Sequence, residues 1–137
     1  MTQSRSFVDT NVFAYALDQA AGDKRLKAIQ LIDDHRDDIV ISTQVLIELY
    51  AVCTRKLRME RADARQAVEA IAGFTVIETN RDRVLSAAAL AESAQISIFD
   101  AAIICAAQHA DCHVIWTEDL NSGQRFGGPV VKNPFAQ

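Results

Sequence analysis

Five short apolar runs constrain the fold of this chain more than any other feature: Ser6 to Val8, Ile39 to Ile41, Phe74 to Ile77, Val114 to Thr117 and the weaker Val130-Val131. They are rich in Val, Ile and Phe and lack strict alternation, which is the pattern of strands covered by helices on both faces, and so of a parallel sheet. The stretches Lys24 to His35, Thr43 to Leu57, Arg61 to Ala72, Asp82 to Ser93 and Phe99 to Ala110 carry Ala, Leu and Ile at helical spacing, and a further helix is expected from about Val12. Alternating strand and helix predict a three-layer α/β/α sandwich around a mainly parallel central sheet of about five strands. No proline precedes Pro129, there is no repeat, and only Asn121 to Pro129 has the composition of a loop. Residues 1–137 therefore read as one domain.

Within this frame four carboxylates stand where apolar segments meet polar ones. Asp9 ends the run Ser6-Phe7-Val8, Glu48 interrupts Val45-Leu46-Ile47-Glu48-Leu49, Asp100 opens Asp100-Ala101-Ala102-Ile103-Ile104, and Asp119 follows Val114-Ile115-Trp116-Thr117. Acids are rarely left in apolar surroundings unless they are paired or ligate a cation. In open α/β sheets the ligand crevice lies beyond the carboxyl ends of the strands, where strand order reverses, and Asp9 and Asp119 lie just past such ends. Asp100 falls in the first turn of a helix whose positive end faces the same crevice if the helix runs antiparallel to the strands.

Each acid also has a plain structural reading. Asp9-Thr10-Asn11 offers three good N-caps for the helix that follows, and an Asp there can cap while presenting its outer oxygen to a metal. Ser97-Ile98-Phe99-Asp100 has capping-box spacing, with Ser97 as cap and Asp100 reaching back. Beyond Asp100 the helix is apolar almost all round, which predicts burial at the domain centre. Projecting Thr43 to Leu57 at about 100° per residue gathers Val45, Leu46, Leu49, Val52, Cys53 and Leu57 on one face, with Glu48 at its margin beside Val52. An ion pair with Arg55 is the ordinary explanation for Glu48. The same projection leaves Ile47 and Tyr50 off the core face, as candidates for a partner contact. Thr117-Glu118-Asp119-Leu120-Asn121 has the composition of a turn. Neighbouring side chains diverge, so one of Glu118 and Asp119 is expected to face the crevice, and Asp119 is the choice.

A net charge of −4 and a pI near 5.3 argue against a broad basic footprint for nucleic acid. Acids gathered in one pocket make that charge local, and bound divalent ions partly cancel it. Arg55, Lys56, Arg58 and Arg61 cluster around a helix joint, and Lys24, Arg25 and Lys27 form a second basic group. The three cysteines, Cys53, Cys105 and Cys112, form no CxxC pair and read as reduced packing residues. His109, Cys112 and His113 supply only three soft ligands where a structural zinc site usually takes four; His109 is better placed near its helix's last carbonyls. No apolar run approaches the roughly 20 residues of a membrane span, and Met1-Thr2-Gln3-Ser4-Arg5 leads into a strand rather than a signal peptide, so a soluble, cytoplasmic protein is expected.

Phe7-Val8-Asp9-Thr10-Asn11, Glu48 within Ser42 to Leu49, Phe99-Asp100-Ala101-Ala102-Ile103 and Trp116-Thr117-Glu118-Asp119-Leu120 together resemble the PIN domain, particularly the VapC-type toxins of bacterial toxin-antitoxin pairs. The resemblance covers nearly the whole chain, in order, spacing and length. It implies a metal-dependent endoribonuclease with Asp9, Glu48, Asp100 and Asp119 as the acidic site and Thr10, Asn11 or Thr117 assisting the water or metal shell. The implied cofactor is Mg²⁺ or Mn²⁺, as one or two ions, and the implied partners are RNA and a cognate antitoxin protein, with a homodimer expected and no membrane. Some members have a basic residue before the final Asp; Glu118 departs from that pattern.

Hard divalent ions prefer oxygen ligands and lower the pKa of bound water. With no His or Lys among the motifs, the ion rather than a side-chain base would generate the nucleophile. Arg55, Lys56 and Arg58 would meet the RNA backbone, and Ile47 and Tyr50 a second copy or the antitoxin. Two other enzyme-like readings fit less well. A haloacid-dehalogenase-type phosphatase wants a second Asp two residues after the first, where this chain has Asn11, and a receiver-like switch wants a mid-chain strand-terminal Asp and a Lys after the Ile115 strand. A catalytically silent RNA-binding or scaffolding module on the same fold is opposed by the complete acid set.

Overall fold

The computed structural model describes residues 4–136. Met1 to Gln3, which begin the leading segment read above, and Gln137 lie outside them. Strands β1 (Ser6–Val8), β2 (Ile39–Ser42), β3 (Thr75–Ile77), β4 (Val114–Trp116) and β5 (Val130–Lys132) form one sheet in the order β3-β2-β1-β4-β5, with every neighbouring pair parallel. The helices are α1 (Thr10–Leu17), α2 (Asp23–Asp34), α3 (Thr43–Arg55), α4 (Arg61–Ile71), α5 (Arg81–Ala94) and α6 (Ile98–His109). The expected α/β/α sandwich is thus the observed one.

Burial explains the composition of the strands. Every residue of β1 and β2 is buried, as are Val114 and Ile115 of β4, because helices cover both faces of the central strands. β3, at the edge, is partly exposed. Phe7, Ile41, Leu49, Ile104 and Ile115 are among the largest fully buried side chains and anchor a core that joins the sheet to α1, α3 and α6.

Local chemistry sets the helix starts. The side chains of Asp9, Ser42, Asn80 and Ser97 each accept a backbone N–H at the start of α1, α3, α5 and α6, meeting donors that no helical carbonyl can reach. Because Asp9 is the cap, α1 begins at Thr10, two residues before the position expected from Val12. α5 ends on Gln95 in the left-handed region (φ +56°), and α6 then leaves at 115° to it. No single helix among the described residues is long and apolar enough to cross a membrane.

Three expectations need correction. α6 is less completely enclosed than its composition suggested: Ala101, Ile103, Ile104, Ala106 and Ala107 are buried, while Ala102 and Cys105 face an open apolar groove. Only Cys53 and Cys112 are buried, Cys105 being partly exposed; all three are free thiols. The Glu48–Arg55 ion pair does not form. Glu48 turns instead toward α1, where a hydroxyl donor is waiting.

Candidate active site

Strand order reverses at β1, since β2 and β3 extend the sheet to one side and β4 and β5 to the other. The carboxyl ends of β1 and β4 are held together by Val8 pairing with Trp116 and by the Asp9 N–H donating to the Trp116 carbonyl at 3.0 Å. A cavity of about 330 Å³ opens beyond those ends, lined by Asp9, Glu48, Asp100 and Asp119 among others. The crevice is where the topology of an open α/β sheet puts a ligand.

Asp9 is the most constrained of the four. It is 3% exposed, its Oδ1 accepts the Thr10 N–H at 2.7 Å, and its Oδ2 accepts the Thr117 hydroxyl at 2.8 Å. Both oxygens are therefore engaged, whereas the sequence suggested a free outer oxygen; each still has a lone pair to offer. Burial pushes the Asp9 carboxyl up to about 6, the Thr117 and Thr10 hydrogen bonds oppose the rise, and the charges of Asp119 and Glu48 add to it.

Thr117 and Asn11 tie Asp119 to Asp9. Thr117 Oγ1 accepts the Asp119 N–H at 3.1 Å and, more weakly, the Asn11 amide at 3.4 Å, while Asn11 Nδ2 also donates to Asp119 Oδ2 at 3.2 Å. These bonds fix the Asn11 amide orientation, because the flipped form would set its oxygen against a carboxylate. Asn11 Oδ1 is then buried with no hydrogen-bond partner. Thr10 Oγ1 donates to Glu48 Oε1 at 3.1 Å, and the Gln44 amide adds a longer bond of 3.4 Å. The three candidate polar helpers thus each touch an acid.

Asp100 sits in the first turn of α6, its N–H donating to Ser97 Oγ at 3.0 Å, which is the Ser97 half of the expected capping box; its carboxylate does not return a bond to the Ser97 N–H. Burial raises its carboxyl pKa, Ser97 counteracts this, and the Asp119 charge reinforces it. Glu118 also lines the cavity but is held sideways, its Oε2 accepting Lys24 Nζ at 2.7 Å and its Oε1 the Tyr15 hydroxyl at 2.7 Å. Although burial raises the Glu118 carboxyl, these two donors outweigh it and leave the group below its usual value.

The donor set suits a hard divalent cation: all oxygen, one member with a pKa raised by burial and, to a lesser degree, by the neighbouring carboxylates, and an orphaned amide oxygen beside it. Among the described residues no three acids, histidines or cysteines stand close enough together to hold an ion as they are arranged.

Of the basic residues, Lys56 alone among Arg55, Lys56 and Arg58 lines the cavity, one helical stripe from Glu48 through Val52. Ile47 is 73% and Tyr50 37% exposed on the far side of α3. Sequence reasoning missed Tyr15, Asp18 and Phe99 in the lining. Tyr15 and Asp18 lie four and seven residues after Asn11, on one face of α1, and that spacing was a usable signal. His109 shares a 2.6 Å contact with Arg83 at the end of α6.

The model of the PIN domain family matches residues 6–124. No curated protein matches the sequence significantly. Among solved structures, the fold is similar to Mycobacterium tuberculosis VapC20, a toxin that cleaves the sarcin-ricin loop, with a TM-score of 0.71 at 18% identity over 83% of this chain and 89% of that one. It is also similar to a toxin-antitoxin complex from Klebsiella pneumoniae (TM-score 0.69, 21% identity, 95% and 98% covered) and to DNA-bound VapBC from Salmonella typhimurium (0.67, 18%, 96% and 99%). With its sheet order, its acid-lined crevice and a family match over most of its length, the chain belongs to the PIN-domain family.

Proposed function

We propose that this chain is a Mg²⁺- or Mn²⁺-dependent endoribonuclease and the toxin of a toxin-antitoxin pair. The observation that carries the reading is the hydrogen-bonded set Asp9–Thr117–Asn11–Asp119 at the strand-order reversal, facing Glu48 and Asp100 across one cavity. The toxin role rests on the fold shared with VapC20 and the two toxin-antitoxin complexes.

Asp9, Glu48, Asp100 and Asp119 would hold one or two ions. When bound, such ions acidify water and offset the charge of a phosphodiester. The protein's part is positioning: Thr117 and the Thr10 N–H fix Asp9, Asn11 fixes Asp119, and Thr10 fixes Glu48. Lys56 at the cavity wall gives the phosphate backbone a cation outside the acid cluster. Ile47, which lines the apolar groove, and the exposed Tyr50 would form the contact between two copies in a homodimer.

RNA cleavage by the purified chain should require Mg²⁺ or Mn²⁺ and vanish in Asp100→Asn, which keeps the Ser97 cap because that bond uses the backbone N–H. Undiminished cleavage in EDTA would sink the metal mechanism.

A further inference from the structure

Glu118 and Lys24 form the shortest of the charge contacts that bear on the crevice, yet neither is one of the four acids. Lys24 Nζ, on α2, lies 2.7 Å from Glu118 Oε2 and 3.2 Å from the Tyr15 hydroxyl. It also stands 4.8 Å over the Tyr15 ring and 5.7 Å from that of Phe135, which packs edge-on to Tyr15 at 4.8 Å. The two charged side chains are 45% and 27% exposed. Aromatic rings on one side and a shared hydroxyl give this pair more definition than a free surface ion pair has.

The loop after β4 is consequently tied down at successive residues: Thr117 to Asp9, Glu118 to α1 and α2, and Asp119 to Asn11. Holding Glu118 sideways has a second effect. It keeps a fifth flexible carboxylate from competing for whatever the other four bind.

We propose that Lys24 is a positioning residue of the acid site, acting through Glu118 and Tyr15 to set the loop that carries Asp119, and that Glu118 is the anchor of this clamp rather than a cation ligand. The proposal rests on the reading of the four acids as a divalent-cation site. Simple electrostatics predicts the opposite sign for its removal, because deleting a cation beside an acid cluster strengthens the pull on another cation. That difference makes the clamp testable without any RNA.

The test is Mn²⁺ binding to the full chain by isothermal titration calorimetry, for Lys24→Met, Lys24→Arg, Glu118→Gln, the Lys24→Met/Glu118→Gln double variant and Asp119→Asn. Partners that orient metal ligands from outside typically change affinity by about 10- to 100-fold when lost. The expectation is weakening of about tenfold in Lys24→Met and in Glu118→Gln, no further loss in the double variant, and near-normal binding in Lys24→Arg. In cleavage assays the Mn²⁺ concentration for half-maximal rate should rise with the KM for RNA unchanged. Tighter binding in Lys24→Met with loss in Glu118→Gln would make Glu118 a ligand and overturn the clamp, as would unchanged binding in both while Asp119→Asn loses it. Unchanged binding in Asp119→Asn itself overturns the underlying cation site, and the clamp with it.

Discussion

The Thr117 hydroxyl donates to Asp9 Oδ2 at 2.8 Å, joining the ends of β4 and β1 across 108 positions of sequence. Thr117 is 1% exposed, so this bond is made where water offers no substitute. Because the same oxygen accepts the Asp119 N–H and the Asn11 amide, one hydroxyl couples two of the four acids.

Replacing Thr117 by Val keeps the shape and deletes the coupling. The variant should lose about 1–3 kcal/mol of stability, the cost of stranding a buried acceptor. The bond lowers the Asp9 pKa, so its loss should raise that pKa further. Urea denaturation measures the first effect, and a shift of the cleavage pH profile toward higher pH measures the second. A variant with wild-type stability and pH profile would show that Thr117 only fills space.

Asp9 makes the cation-free protein less stable as pH rises. Folded, it keeps its proton up to about pH 6, against 3.8 for the unperturbed group, so between these values the folded state binds more protons than the unfolded one. Unfolding free energy should therefore fall through this window, by roughly 3 kcal/mol at full effect from this one group. Asp9→Asn keeps an oxygen to accept the Thr10 N–H and removes the charge, and with it the loss. In EDTA the variant should be more stable than wild type at pH 7.5 and not at pH 4. Denaturant titrations at the two pH values decide it, and a pH-independent difference contradicts the assignment.

The fold was legible because central strands buried on both faces are written as unbroken Val, Ile and Phe, and helices as spaced Ala and Leu. Glu48 was legible for a related reason: a carboxylate at the edge of an apolar stripe has few local partners, and its partner proved to be Thr10. Asp9 caps its helix as its surroundings suggested, while Asp100 only donates its backbone N–H to the Ser97 cap of α6. Capping uses one oxygen, or only the backbone, and so leaves each acid available to the crevice. The Lys24–Glu118 pair was not legible. Its members are 94 positions apart, and a Lys in a basic run on an amphipathic helix looks the same whether solvated or paired. Phe135, packed on Tyr15 after the last strand, left no periodic signal at all.

Lys56 is the basic residue for which geometry favours an RNA contact. It lines the acid cavity whereas Arg55 and Arg58 do not. Lys56→Gln should weaken RNA binding and reduce the salt dependence of log K by about 0.7, the counterion release of one single-strand phosphate contact. Arg55→Gln should leave both unchanged. Binding isotherms on a non-cleavable RNA at several salt concentrations test this, and equal effects of the two substitutions would mean that the positive field is diffuse.

The far side of α3 presents Ile47 at 73% exposure beside a groove of about 360 Å³ lined by Val84, Ile98, Phe99 and Ala102. Several large apolar groups left together in water favour association, and a homodimer through this face removes them from it. Ile47→Glu places an unpaired carboxylate in that contact, at a cost of several kcal/mol, or weakening on the order of a hundredfold or more. Nothing in the fold opposes the substitution, because Ile47 is outside the core. Light scattering at micromolar concentration should therefore give the mass of two chains for the wild type and of one for the variant, with unchanged circular dichroism. A monomeric wild type would instead assign the face to another partner, whose binding Ile47→Glu would then abolish.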